Sequence, residues 1–410
     1  MARRAETQER NRVRVLAAAR EEFAERGFRD AKVDAIAERV GLTRGAVYSN
    51  FPGKRALYLA VLAAEAEAAH PPASLGTASP GTASSGTASS GIASRSTASP
   101  GTASRSTASL STASLSTASS STASSSTASP STPSSSTPGT ALGEFALAWL
   151  SAQATDPWLG RDLFPELAAE DLRRPYEQLL KLQALLLGLA LERLTPHPNR
   201  PGDPPTRSVR QATAILSALH GAHHAAATAP GFLQPYDVVS ACEHLATLTL
   251  NDYWAPPDDT APVRTADEPW TPPAATDLVT NSPFVATDGV VAVLGLNRLA
   301  VAEEAIRRDA PTTVVIVTGR PAELGPLARL SVAGVCGPLR RAFPAHAHPA
   351  VRVVCDETGA FARAAGVPAV SDETETAVRV RDGRIVARAD GFAACHAVAE
   401  PNAAPNAVPR

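Results

Sequence analysis

Between residues 43 and 50 a short helical pattern exposes Thr43, Arg44, Gly45, Ala46, Tyr48, Ser49 and Asn50, while Val47 and Phe51 turn inward. A small, polar, basic helix of this kind offers guanidinium, hydroxyl and amide groups to base edges and phosphates. The chemistry on offer is recognition of a DNA major groove. Such a helix needs a second one to hold it. Val33, Ile36, Ala37 and Val40 fall on one face of the preceding segment at helical spacing. Gly41 follows, where a left-handed stop costs glycine least, and Leu42 can tuck into the core of the pair. Thr43 then supplies a capping hydroxyl. Helix, Gly-centred turn and helix make a helix-turn-helix, followed by a Pro52-Gly53 break and a third helix opened by Lys54.

On these residues the segment 8–62 resembles the DNA-binding domain of the TetR family of bacterial transcriptional regulators. The matching motifs are VLAAAREEFAERGF (15–28), VDAIAERVGLTRGAVYSNF (33–51) and Lys54, at ungapped spacing. The resemblance implies that Tyr48 and Lys54 hold phosphates and that residues 43 to 49 face bases. It further implies a homodimer on a near-palindromic operator of double-stranded DNA. The function implied is that of a ligand-responsive regulator, by family habit a repressor. Position 32 departs from the pattern: the family usually has Thr or Ser there as helix cap and phosphate contact. Lys32 cannot cap, although its ammonium can still reach a phosphate.

The chain of 410 residues is near neutral at −2, which excludes a uniformly basic nucleic-acid coat. Residues 1–55 nevertheless hold thirteen Lys or Arg against eight Asp or Glu. Local positive charge of that kind serves phosphate contacts. The Arg3-Arg4 arm can add to them, whereas Arg10, Arg12, Arg14 and Arg20 fit a solvated helix face paired with nearby glutamates. No apolar run is long enough to span a bilayer, and the N-terminus lacks the apolar stretch of a secretory signal. Cys242, Cys336, Cys355 and Cys395 are dispersed, with no C-x-x-C pair, so neither a disulfide framework nor a zinc site is indicated. We expect a cytoplasmic protein that is not an enzyme and uses no cofactor and no metal.

Six sections follow from composition: a head (1–70), a Ser/Thr/Ala-rich insertion (71–141), a helical domain (142–254), a Pro-rich linker (255–283), a small α/β domain (284–396) and a disordered tail (397–410). The insertion repeats a five-residue unit, roughly (Gly/Ser)-Thr-Ala-Ser-x, from Gly76 to about Ser129. It has almost no apolar bulk to offset the entropy of ordering, and is expected to be disordered. In the helical domain the expected helices are Gly143–Ala154, Trp158–Glu170, Arg174–Leu194, Thr206–Ala227 and Tyr236–Trp254. In the resembled family this half forms a dimer interface and an effector pocket, with the last two long helices pairing with their symmetry mates. Trp149, Trp158, Phe164 and Tyr176 are candidates to line a pocket for an unknown small molecule, together with His220 and His224. Those two histidines share a helix face with His223 nearby. Two histidines without an acidic partner make a poor metal site, so a core or interface role comes first.

The linker holds seven prolines. After it come strand patterns at 290–296, 312–319 and 351–355. Helical patterns lie at 299–309, near Ala322–Leu330 or Cys336–Ala342, and at 359–365, and a hairpin signal at 376–391 closes the series. These predict an α/β domain with a largely parallel sheet. The fold class is thus all-α followed by α/β. VVCDETGAFARAAGVP (353–368) and the hairpin resemble a thioredoxin-like or peroxiredoxin-like fold, but Gly295-Leu296-Asn297-Arg298-Leu299 stands where redox cysteines belong. A binding or packing role suits this domain better than catalysis. The alternative is a thiol-based redox sensor or oxidoreductase fused to the head, which requires a low-pKa Cys336 or Cys355. If the Ser/Thr/Ala tract is a tolerated insertion, deleting Gly76–Pro138 leaves DNA affinity within about threefold of the parent in a binding titration.

Overall fold

The computed structural model describes residues 2–69, 137–154, 162–195, 207–308 and 310–400. The repeat tract, Trp158, the stretch 196–205, the side chains of Arg3 and Arg4 and residues 401–410 lie outside them.

Four helices make the head: α1 (Ala2–Asp30), α2 (Val33–Arg39), α3 (Arg44–Tyr48) and α4 (Lys54–Ala68). Val15, Ala19 and Phe23 of α1 meet Ile36, Val47, Phe51, Leu57 and Tyr58 in one apolar cluster. Phe23 sits edge-on to Tyr58 at 5.1 Å, adding aromatic geometry to area burial. Gly41, at φ 64°, makes the left-handed turn between α2 and α3. From Ala56 to Ala63 every residue of α4 is buried. A run longer than two helical turns covers all faces, so α4 is enclosed on every side over residues 56–63.

The helical half holds α5 (Pro138–Ala154), α6 (Leu163–Leu167), α7 (Glu170–Leu194), α8 (Val209–Thr228) and α9 (Pro235–Leu245). Boundaries differ from expectation in several places. The expected helix Trp158–Glu170, part of which lies outside the described residues, is the short α6, with Glu170 opening α7. α8 begins at Val209 rather than Thr206. α5 starts at Pro138, inside the stretch assigned to the insertion. α7 runs through Pro175. A proline there cannot bond the carbonyl of Asp171, and that oxygen instead accepts from Arg320 Nη2 at 3.2 Å. α9 stops at Leu245, well before Trp254, because Gln211 Nε2 donates to the carbonyls of Leu245 and Ala246, both at 2.9 Å. Beyond it Asp252 is buried, and its carboxylate accepts from Arg210 N–H (2.8 Å) at the start of α8.

The C-terminal layer contains β1 (Arg264–Pro269), β2 (Ala275–Asp277), β3 (Ser282–Phe284), β4 (Gly289–Gly295), a 3-10 turn (Leu299–Val301), α10 (Ala302–Ile306), β5 (Thr312–Val317), α11 (Pro321–Ala342), β6 (Val351–Cys355), α12 (Ala360–Ala364), β7 (Glu375–Arg381), β8 (Arg384–Asp390) and α13 (Ala394–Ala399). The main sheet runs β1-β8-β7-β4-β5-β6. β4, β5 and β6 are parallel, but β7, β8 and β1 join antiparallel, so the sheet is mixed rather than largely parallel. The expected linker 255–283 contributes β1 and β2, and Pro269 is tolerated because β1 is an edge strand. The two alternative helices after β5 are one helix, α11, with Pro326 and Pro338 inside it. Residues 397–399 belong to the buried α13 rather than to a tail.

Side chains alternate across the sheet. Val291, Val293, Val315 and Val317 face Trp270 and Phe361. Val290, Ala292, Leu294, Val314 and Ile316 face the other way, into one continuous core shared with α5, α7, α8, α11 and α13. At the end of β4, Gly295 lies under the loop before β7: its N–H donates to Thr374 O (2.7 Å), and Asn297 N–H donates to Asp372 O (2.8 Å). A side chain at 295 would overlap the Asp372 backbone. No helix among the described residues is long and apolar enough to cross a membrane. Because α11 buries its apolar side chains against helices outside the sheet layer, residues 284–396 expressed alone expose them. We expect that fragment to be degraded at once in limited proteolysis, under conditions where the full chain resists.

Candidate nucleic-acid interface

Thr43, extended at φ −80° and ψ 154°, caps α3 with its hydroxyl accepting from Ala46 N–H at 3.2 Å. That bond fixes where α3 begins and therefore which side chains face outward. Thr43, Arg44, Gly45 and Ser49 are exposed, Ala46, Tyr48 and Asn50 are half-buried, and Val47 is buried. Ser49 Oγ (2.8 Å) and Asn50 Nδ2 (2.9 Å) both donate back to the Ala46 carbonyl and close the last turn. A Cβ at Gly45 would meet only Thr43 Oγ1, at 3.9 Å, so α3 presents a low, small-residue surface beside the Arg44 and Tyr48 side chains.

Arg44 is already engaged: Nη1 donates to Asp34 Oδ2 at 3.1 Å and Nη2 to the Tyr48 hydroxyl at 3.4 Å, with the guanidinium 5.4 Å from the Tyr48 ring centroid. Asp34 escaped the reading of the motif. Its only signal in the sequence is an acidic side chain in the first turn of α2. The pair is exposed, so its net strength is small and a stronger acceptor can displace it.

Lys32 is exposed and makes no side-chain cap on α2. Its N–H donates instead to Glu22 Oε1 (3.2 Å). The Glu22 carboxylate is 0 % exposed and also takes ion pairs from Arg39 (3.1 Å) and Arg26 (3.4 Å). Glu22 thereby ties α1 to both ends of α2. Arg12 stacks over Phe51 at 4.7 Å, Arg14 donates to Val40 O at 2.6 Å, and Arg20 pairs with Glu65 at 2.7 Å.

Lys54 does more than face outward. Its ammonium donates to the carbonyls of Arg29 and Ala31, each at 2.9 Å, and lies 4.8 Å from the Phe28 ring centroid. Gly27 (φ 73°, ψ 172°) breaks α1 just before these carbonyls, so the ammonium ties the short turn beyond the break to the start of α4. Two of its three donors are used, which leaves one for a phosphate.

In the helical half, Trp149 lies 5.4 Å from His220 and 5.9 Å from His223, and Phe164 lies 5.3 Å from His223 and 5.7 Å from His224. The structure thus gathers Trp149, Phe164, His220 and His224 around His223. Tyr176 packs on the large core, where burial pushes its hydroxyl up to about 12. His220 Nδ1 donates to Leu216 O at 2.8 Å, burial holds His220 below the usual imidazole range, and burial with the neighbouring His220 and His224 does the same to His223. His220 also borders a groove of about 510 Å³ between α7 and α8. Leu180, Ala184, Leu185 and Leu216 line it with Lys181 and Arg210, while Ala300 and Glu303 come from the C-terminal layer. Among the described residues no cluster of His, Cys, Asp and Glu suits a metal ion.

The thiols are poorly placed for exchange. Burial pushes Cys242 up to about 11, Cys336 and Cys355 up to about 12, and Cys395 well above its ordinary value. The low-pKa Cys336 or Cys355 that a redox sensor requires is therefore replaced by a desolvated, protonated thiol. Lys54→Ala should lower stability by roughly 0.5–1.5 kcal/mol in urea titration by removing its bonds to the Arg29 and Ala31 carbonyls, and lower the salt slope of DNA binding by about one.

Comparison with known proteins agrees with this geometry over the head. The family model described as bacterial regulatory proteins, tetR family, matches residues 15–61. The HTH-type transcriptional regulator SrpR of Pseudomonas putida is 49% identical over 55 residues, which is 13% of this chain and 26% of that protein. An uncharacterized HTH-type transcriptional regulator, TtgW, also of Pseudomonas putida, is 50% identical over 52 residues, 13% of this chain and 39% of that protein. The chain thus matches well under half the length of each of these relatives. Residues 15–61 are a helix-turn-helix domain of the TetR family of bacterial regulatory proteins.

Proposed function

We propose that this chain is a homodimeric, ligand-responsive transcriptional repressor that binds a near-palindromic operator in double-stranded DNA. The observation that carries the reading is the Thr43-capped α3, with Arg44 and Tyr48 displayed beside the small surface of Gly45 and Ala46. In this reading Thr43, Arg44, Gly45, Ala46, Ser49 and Asn50 meet bases, and Lys32, Tyr48 and Lys54 meet phosphates. Both relatives named above are, by name, transcriptional regulators.

Dimerisation is supported by the outer surface of the helical half, where Phe232 is 73% and Tyr236 is 78% exposed at the α8–α9 turn. With α9 ending at Leu245, a symmetric bundle uses α8 and residues 235–245. Effector binding is supported by the groove between α7 and α8, whose size suits a drug-sized molecule. Its apolar floor and charged rim fit an amphipathic ligand. The aromatic–histidine set of Trp149, Phe164, His220 and His224 backs that groove through His220. In the C-terminal layer, a parallel βαβ unit followed by an antiparallel hairpin and a terminal helix supports the thioredoxin-like reading, with packing in place of thiol chemistry.

Footprinting the full-length protein on DNA flanking its own gene, across a salt series, tests the proposal. We expect a short protected near-palindrome that Tyr48→Ala abolishes. Weak binding without sequence preference on that DNA counts against the operator reading. On the protected site, Arg44→Ala should cost about 1–3 kcal/mol and change base preference. Asp34→Asn, which frees Arg44, should tighten binding by up to about fivefold. Equal losses on specific and random DNA for Arg44→Ala would refute its base contact.

A further inference from the structure

By sequence α11 belongs to the C-terminal sheet layer, yet its most extensive partner is α4, the last helix of the head. Among the described residues no other pair of elements meets over as many positions. The contact is apolar in its middle: Leu330 of α11 packs into the head's own core, beside residues of α1 to α4. On its other side, α11 places Leu324, Leu327, Val332 and Leu339 in the core shared with α5 and α7.

Charged side chains hold both ends. Near the start of α4, Arg55 pairs with Glu323 of α11 through Nε at 2.7 Å and with Asp171 of α7 at 2.7 Å. Arg320 closes the set, reaching Asp171 at 2.9 Å and Glu323 at 3.4 Å. Near the end of α4, Glu67 meets Arg329 of α11 at 3.5 Å, and Arg329 also holds Glu357 at 3.0 Å. Arg55 and Glu323 are only 25% and 18% exposed, so this pair is screened less than a surface pair. The same layer borders the α7–α8 groove through Ala300 and Glu303, and Ala300 N–H donates to Gln178 Oε1 of α7 at 2.9 Å.

We propose that the C-terminal α/β layer is a built-in regulatory arm of the DNA head, gripping α4 through α11 and so setting the pose in which α3 meets DNA. The proposal rests on the regulator reading. Its physical basis is that α4, buried on every face, cannot shift by itself. A displacement of α11 must carry it along or break the packing, because close-packed interfaces switch between arrangements rather than deform. A ligand in the groove touches the layer directly and thus has a path to the operator that runs through α11. Glu323 lies outside the head, so changing it removes no group that could meet DNA, and Leu330→Ala, which alters no charge, separates a transmitted effect from the charge freed on Arg55.

The test uses the full chain with Glu323→Gln, Arg55→Gln, the double variant, and Leu330→Ala as an uncharged probe of the same contact. Operator affinity is read by fluorescence anisotropy, and amide exchange is followed across residues 33–51, with circular dichroism confirming the fold. We expect Glu323→Gln and Leu330→Ala each to change operator affinity by about fivefold or more, with the salt slope unchanged. Exchange in residues 33–51 should rise, and the double variant should shift no further than Arg55→Gln alone. Affinities for Glu323→Gln and Leu330→Ala within about twofold of the parent, with unaltered exchange, would overturn the proposal, as would additive effects of Arg55 and Glu323. If the parent chain binds no operator, the regulator reading fails on its own. The grip then stands or falls on whether Glu323→Gln and Leu330→Ala alter exchange in residues 33–51.

Discussion

The enclosure of α4 is the constraint on which the rest of the structure depends. Leu57, Tyr58, Val61 and Leu62 belong to the head core, whereas Leu59 belongs to the larger core behind it. One helix therefore carries apolar side chains into two separate clusters, and neither cluster is complete without it. Ala56, Ala60 and Ala63 are buried and keep the helix narrow. Removing apolar area from water supplies the adhesion on both sides. The price is that the orientation of the head is set by packing far from the recognition helix.

Polar compensation makes that packing possible at its least regular points. Pro175 would ordinarily stop α7, and the continuation is permitted because Arg320 satisfies the carbonyl that the proline orphans. The same arginine then joins Arg55, Asp171 and Glu323, so a local defect in one helix and the junction of three elements share one guanidinium. Arg suits this position because its planar fork can donate in several directions at once. At the other end of the helical half, Asp252 and Gln211 take up backbone groups that α8 and α9 leave unpaired.

Much of the head was legible in sequence because its signals are local. Spacing located α2 and α3, Gly41 located the turn, and Thr43 located the cap, each within a few residues of the feature it specifies. The arrangement around Arg44 and Lys54 was less legible. Asp34 is ten residues away from Arg44 and on another helix, and the carbonyls that hold Lys54 belong to α1 and the residue just beyond it. In the C-terminal layer the strands β4 to β8 follow from β-branched runs and an Asp-Gly turn. β1 did not, since an exposed edge strand reading RTADEP has no apolar alternation to reveal it. The unity of α11 was hidden by two prolines, and its docking on α4 by distance along the chain: Arg55 and Glu323 are 268 residues apart. Contacts of that separation leave no local pattern.

The crowded end of β4 has a consequence for what this layer can become. Gly295 is covered by the backbone of the loop before β7, which bonds to it and to Asn297. A backbone obstacle cannot rotate aside as a side chain does. A thiol introduced at Gly295 therefore meets a wall of main chain, and room for it there requires rebuilding the loop as well. The geometry at this position is one that no single substitution at the glycine reverses.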